Sequence, residues 1–157
     1  MSQNYIFFSA RVEPLTGEHH KWLCDLYDFV QANGQGDADG LTNVERFEPY
    51  LKLFDDPDFA CSGLYLDFPK EDPTYIDIGV DDTDCAKPED AANLIYATLK
   101  HFELPHRVYF HYSYGDTSGE CGGGVFEITK HGFKWKGLYE LEGMMRAENE
   151  IEWKEAG

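Results

Sequence analysis

Glu120 and Cys121 stand immediately before three consecutive glycines, Gly122, Gly123 and Gly124, and an apolar stretch follows. Each part suggests chemistry. Successive glycine amides can form a nest for an anion, and a chain without side chains lets backbone approach a ligand. Cys121 becomes a nucleophile if a base such as His111 touches it and depresses its thiol pKa. With Tyr112 nearby in sequence, these residues outline a small-ligand or enzyme site. The motif context argues against a nucleotide-phosphate loop. No Gly-Lys-Ser/Thr follows, no helix opens directly after the glycines, and the neighbours Asp116 and Glu120 are anionic. The structural reading is a bulge or a tight strand crossing, where glycine permits close passage.

A second stretch, residues 35–46 (QGDADGLTNVER), is similar to a calcium loop. Setting Gly40 at the sixth position puts Asp37 and Asp39 at the third and fifth and Asn43 at the ninth. Both ends break the pattern: Gln35 holds the first ligand position, and Arg46 stands where a bidentate Glu is needed. Thr42 and Glu45 make a capping box that explains the same residues without a metal. Asp81, Asp82 and Asp84 read as a solvated loop before a helix. No HExxH spacing occurs among the six histidines. Cys24, Cys61, Cys85 and Cys121 form no CxxC pair and are read as reduced thiols. No metal or cofactor is expected.

The elements that must position these residues follow from periodicity. Ile6, Phe8, Ala10 and Val12 alternate with Tyr5, Phe7, Ser9 and Arg11, which predicts a strand. Thr16 is placed to cap a helix carrying Trp22, Leu26, Phe29 and Val30. Val44, Phe47, Leu51 and Phe54 recur at helical intervals, with Pro49 set to split or kink them. Leu64, Leu66 and Phe68, then Ile76, Ile78 and Val80, predict two antiparallel strands joined through Pro69 and Pro73. Pro88, Glu89 and Asp90 open a helix whose inner face is Ala91, Leu94, Ile95, Thr98, Leu99 and Phe102. Val108, Phe110, Tyr112 and Tyr114 alternate in a further strand. VFEIT and FKWK then flank His131-Gly132 as a hairpin, and a charged helix runs from Leu138 to about Ile151 with Leu138, Leu141 and Met145 inward.

The order strand, helix, strand, strand, helix, strand predicts one α+β domain over residues 1–157. Its expected form is a ferredoxin-like (split βαβ) antiparallel sheet with two helices on one face, plus a C-terminal hairpin and helix. With 157 residues and 42% hydrophobic content, one core is sufficient. Tyr5, Phe7, Tyr65, Tyr75, Tyr109 and His111 should fall on the face away from the helices. The expectation is that the hairpin and final helix extend or cover that face.

ECGGGVFEITKHGFKW followed by LYELE resembles the C-terminal signature of a family of small, acidic, uncharacterised bacterial and phage proteins. The resemblance covers about the last third of the chain. It implies a bacterial or phage origin, marks Gly122, Gly123, Gly124 and Trp135 as defining features, and brings no catalytic role.

Charge sets the partner class. Thirteen Lys+Arg against 30 Asp+Glu leave a net charge of −17, a field that repels nucleic-acid phosphates and anionic membranes. No apolar span is long enough to cross a bilayer, and the start, MSQNYIFFSARVEP, lacks a secretory pattern, so a cytoplasmic location is expected. The leading functional expectation is a binding protein for a basic protein surface, either immunity- or inhibitor-like or a DNA mimic. The alternative is a small-ligand protein or enzyme at Gly122–Gly124, with Tyr112, Glu120, Cys121 and Trp135 as the binding set.

Overall fold

A computed structural model describes residues 4–33, 44–54, 64–80, 87–116, 119 and 121–147. Within these, the chain runs β1 (Asn4–Val12), α1 (Gly17–Asn33), α2 (Val44–Leu51), β2 (Leu64–Asp67), β3 (Ile76–Val80), α3 (Pro88–His101), β4 (Val108–Asp116), β5 (Cys121–Thr129), β6 (Gly132–Gly137) and α4 (Leu138–Ala147). The strands form one open antiparallel sheet in the order β2-β3-β1-β4-β5-β6. The fold is α+β. Among the described residues no helix is long and apolar enough to cross a membrane.

Local chemistry explains most boundaries. Thr16 Oγ1 accepts the His19 N–H at 3.2 Å and so caps α1. Pro88 occupies the first turn of α3, and Asp90 accepts the Lys87 N–H at 3.3 Å. Glu103, in the left-handed region at φ 51, closes that helix, and the Leu104 N–H reaches back to the Leu99 carbonyl at 2.9 Å. Pro49 lies inside α2, which ends two residues later at Leu51. The hairpin turn is Lys130-His131, one residue earlier than the spacing predicts. Gly132 is already paired with Thr129, at φ 144, a conformation left to glycine.

The expected alternation holds across the sheet. Phe8, Ala10, Val12, Leu64, Leu66, Ile76, Ile78, Val108, Phe110, Phe126 and Ile128 are buried on the side facing the helices. Phe110 and Phe126, directly opposed on β4 and β5, stack with centroids 5.0 Å apart. Above the sheet, Leu23 and Leu26 of α1 and Leu94, Ile95 and Leu99 of α3 are buried. Trp22 joins the helices, meeting Phe47 of α2 at 5.3 Å and stacking on His101 of α3 at 4.5 Å. Tyr50 Oη donates to the Leu94 carbonyl at 3.3 Å and lies 3.1 Å from Thr98 Oγ1, so α2 docks on α3 with a buried hydroxyl satisfied.

The opposite face is open. Phe7 is 65% exposed, and Tyr65, Tyr109 and His111 are exposed beside it. Of the two roles expected for the hairpin, it takes that of extending the sheet beyond β4, and among the described residues no element covers this side. Arg11 crosses the open face to Asp77 at 2.7 Å and lies 3.8 Å above the Tyr75 ring.

Phe126→Ala should cost about 3–5 kcal/mol, as expected for deleting a buried aromatic, and urea unfolding would measure it. A second expectation concerns acid. His20 and His101 are held below the ordinary imidazole value, burial being the main cause in each. Asp72 partly opposes this at His20, and His19 adds to it at His101. The unfolded chain therefore binds protons near pH 6.5 that the folded chain refuses. The contribution of these residues to stability is fully present above that pH and is lost as pH falls toward the lower folded values. The stability of the native chain relative to His20→Leu should decline between pH 7.5 and 5.5.

Candidate functional site

The glycine run is a regular stretch of β5. Tyr112, Ser113 and Tyr114 of β4 lie opposite Gly124, Gly123 and Gly122, with one residue matched to one throughout. No bulge interrupts it, and Gly122, Gly123 and Gly124 do not take positive φ. An extended strand paired into a sheet does not present the concave amides of an anion nest, so that reading is set aside. Close passage is the reason for the glycines. A methyl on Gly122 would overlap the Tyr114 ring, and one on Gly124 would overlap the Lys136 carbonyl and come within 2.8 Å of Tyr112 Oη. The rings of Tyr112 and Tyr114 lie down across the neighbouring strand because nothing stands beneath them.

Strand β6 reaches only as far as the Gly137–Gly124 pair, so Gly122 and Gly123 have no β6 partner. Helix α4 begins at the next residue, Leu138, and its first turn stands beside that vacated end of the sheet. Between them lies a cleft of about 510 Å³. Tyr112, Tyr114, Trp135 and Tyr139 supply aromatic walls, Gly122 and Gly123 the floor, and Glu140 and Glu142 acidic groups. Trp135 is half exposed, and its ring lies 6.4 Å from Phe126, so it joins the cleft to the core. Lys136 Nζ donates to Met144 Sδ at 3.1 Å, tying α4 back to β6.

The cleft has a sign. Burial raises the Tyr112 phenol above its ordinary value, and Glu89, Tyr114 and Glu140 push it further in the same direction. Among the described residues that line the cavity there is no Lys or Arg. Aromatic faces with carboxylates nearby favour a cation, through ring quadrupoles and direct charge.

Of the expected binding set, Tyr112, Cys121, Gly122, Gly123 and Trp135 all line this cleft, and Gly124 lies beneath Tyr112. Glu120 lies outside the described residues. Tyr114, Tyr139, Glu140 and Glu142 are additions. Their signal was present in the YSY alternation of β4 and in LYELE opening a helix directly after a strand. Leu138, expected inward, is 54% exposed, as the first residue of a helix that starts at the sheet's edge.

Cys121 and His111 do not form a thiol–base pair. Cys121 lies opposite Gly115 and His111 opposite Val125, four residues or about 13 Å apart along the strands. Cys24 and Cys121 are free thiols; Cys61 and Cys85 lie outside the described residues, as do residues 35–43 of the calcium-like loop and 81–84. Arg46, at the position where that loop pattern needs a carboxylate, is bound to Asp25 at 3.1 Å. Among the described residues no group of three or more His, Cys, Asp or Glu side chains is arranged to hold a metal ion.

Comparison with protein-family models, with curated proteins and with solved structures finds no match to this chain.

The glycines make a graded expectation. Gly124→Ala drives a methyl into backbone, which cannot yield, whereas Gly122→Ala meets a Tyr114 ring that is half exposed and free to swing outward. Gly124→Ala should cost roughly 1–3 kcal/mol and Gly122→Ala distinctly less. Thermal or urea unfolding of the two variants checks the order.

Proposed function

We propose that the protein is an acidic cytoplasmic binding protein that recognises a basic protein surface, with the cleft between β4, β5 and α4 receiving a Lys or Arg side chain. The observation that carries this reading is the cleft itself. Four aromatic rings line it together with Glu140 and Glu142. A buried ammonium or guanidinium there replaces part of its hydration by ring faces and carboxylate oxygens. The net charge of −17 speeds encounter with a partner of opposite sign.

An immunity- or inhibitor-like role fits better than a DNA mimic. On the open sheet face Asp77 is paired with Arg11, and Glu127 stands 3.4 Å from Lys134 and 4.0 Å from Arg107. Interleaved cations of this kind break up any run of phosphate-like charge. A small cationic ligand is the second reading, favoured by a cleft volume within the range of small-ligand sites. We further read β2-β3-β1-β4 with α1 and α3 as a ferredoxin-like split βαβ core, to which the β5–β6 hairpin is added. The direct pairing of β1 with both β3 and β4 supports this.

Titration with a Lys/Arg-rich peptide at low and high salt tests the reading. Binding should weaken with salt, Trp135→Ala should weaken it about tenfold at either salt, and Glu140→Gln should flatten the salt dependence. Unchanged affinity in Trp135→Ala would mean that diffuse charge alone attracts the peptide, and the cleft would lose its role.

A further inference from the structure

Aromatic side chains reach the cleft from three elements: Tyr112 and Tyr114 from β4, Trp135 from β6 and Tyr139 from the first turn of α4. Gly122 decides how one of these rings lies. A methyl built on it would press on Cζ and Oη of Tyr114 alike and stand 2.8 Å from Cε1. Those three contacts coincide over the face of the ring and not at its edge. Tyr114 therefore lies flat on Gly122, 49% exposed, with its other face turned to the cleft. Tyr112 reaches across Gly124 beside it and meets Phe126 at 5.5 Å.

A ring face attracts a cation through its quadrupole and asks for no directed hydrogen bond. That distinguishes one cation from another. A primary ammonium carries three N–H donors that lose water on entry and must find oxygens. Glu142 already has an interaction of its own. Lys136, held at Met144 Sδ at 3.1 Å, brings a positive charge to α4 one turn from Glu140. A quaternary ammonium has no donor to satisfy, and its charge is spread over methyl groups that rest against aromatic faces. Several rings around one cleft are the setting in which such a group is bound.

We infer that the cleft is selective for a quaternary ammonium group, the trimethylammonium head of a methylated lysine side chain or of a free small molecule. Tyr114 offers it a face prepared by Gly122, and Tyr139, 90% exposed, has room to turn onto the bound group. This rests on the cation-binding reading of the cleft and names which cation.

Calorimetric titration with three versions of one ten-residue peptide, and with choline alone as the small probe, tests the inference. The central residue of the peptide is lysine, trimethyl-lysine, or the neutral isostere with carbon in place of the quaternary nitrogen. The trimethylated peptide should bind at least about tenfold tighter than either of the others. This ratio should persist at high salt, because ring contacts are short-ranged and diffuse charge is screened. Tyr114→Leu and Tyr139→Leu should each lower the ratio about threefold, and Tyr114→Phe should keep it. Gly122→Ala, which swings the Tyr114 ring outward, should act like Tyr114→Leu. Thermal unfolding identifies any variant that has lost its fold, and Tyr139 is too exposed for its replacement to do so. Choline binding as tight as that of the trimethylated peptide assigns the group to a free molecule, and much weaker binding assigns it to a methylated protein. The inference is overturned if the lysine peptide or the neutral isostere binds as well as the trimethylated one, or if Tyr114→Leu and Tyr139→Leu both leave the ratio unmoved. It is overturned also if neither choline nor the trimethylated peptide binds. A Lys/Arg-rich peptide that still binds through Trp135 would leave the cation reading standing in that event, and its failure as well overturns both.

Discussion

Phe126 is the side chain through which the core and the cleft are joined. Its ring stacks on Phe110 at 5.0 Å and meets Tyr112 at 5.5 Å, Phe133 at 6.1 Å and Trp135 at 6.4 Å. These contacts lock three strands in one register. A slip of a single residue would send Phe126 to the open face, with Tyr112 and Trp135 left against nothing. Because the register is held here, the glycines fall beneath the tyrosines and β6 ends where α4 must begin. The cleft is a consequence of core packing carried one strand further than the core itself.

Period-2 alternation made most of this sheet readable. Ile6 through Val12, Leu64 and Leu66, and Val108 through Tyr114 each show their buried side in the residue types alone, and Thr16 and Pro88 announce the two long helices. The inner face of α3 was equally plain, although burial spreads wider than its apolar stripe, to Ala92 and Ala97. Other features depend on partners remote in sequence. That Tyr114 shelters Gly122 requires the pairing of β4 with β5. That Leu138 stays exposed requires knowing that the hairpin occupies the sheet's end. Helix α2 was obscured by Pro49, which α2 accommodates close to its C-terminal end. As for the site, the glycines, Cys121, Tyr112 and Trp135 were visible as a cluster, but the chemistry expected of them shifted. A thiol and an anion nest gave way to aromatic walls and glutamates, because strand geometry separates Cys121 from His111 and flattens the glycines.

Charge is organised locally as well as in total. The open face pairs Arg11 with Asp77 and gathers Lys134 and Arg107 around Glu127, while Glu140 and Glu142 line the cleft. Exposed pairs of the first kind contribute little stability and are screened by salt. Their effect is on recognition: they set the local sign that a charged partner meets on this face.

No residue separates Gly137, the last of β6, from Leu138, the first of α4. That junction acts as a phase setting. Each residue added there would rotate the helix by about 100° relative to the sheet, carrying Tyr139 and Glu140 away from Tyr112 and turning other side chains toward Trp135. The identity of the groups facing the cleft is thus written in the length of the join as much as in the residues on either side of it.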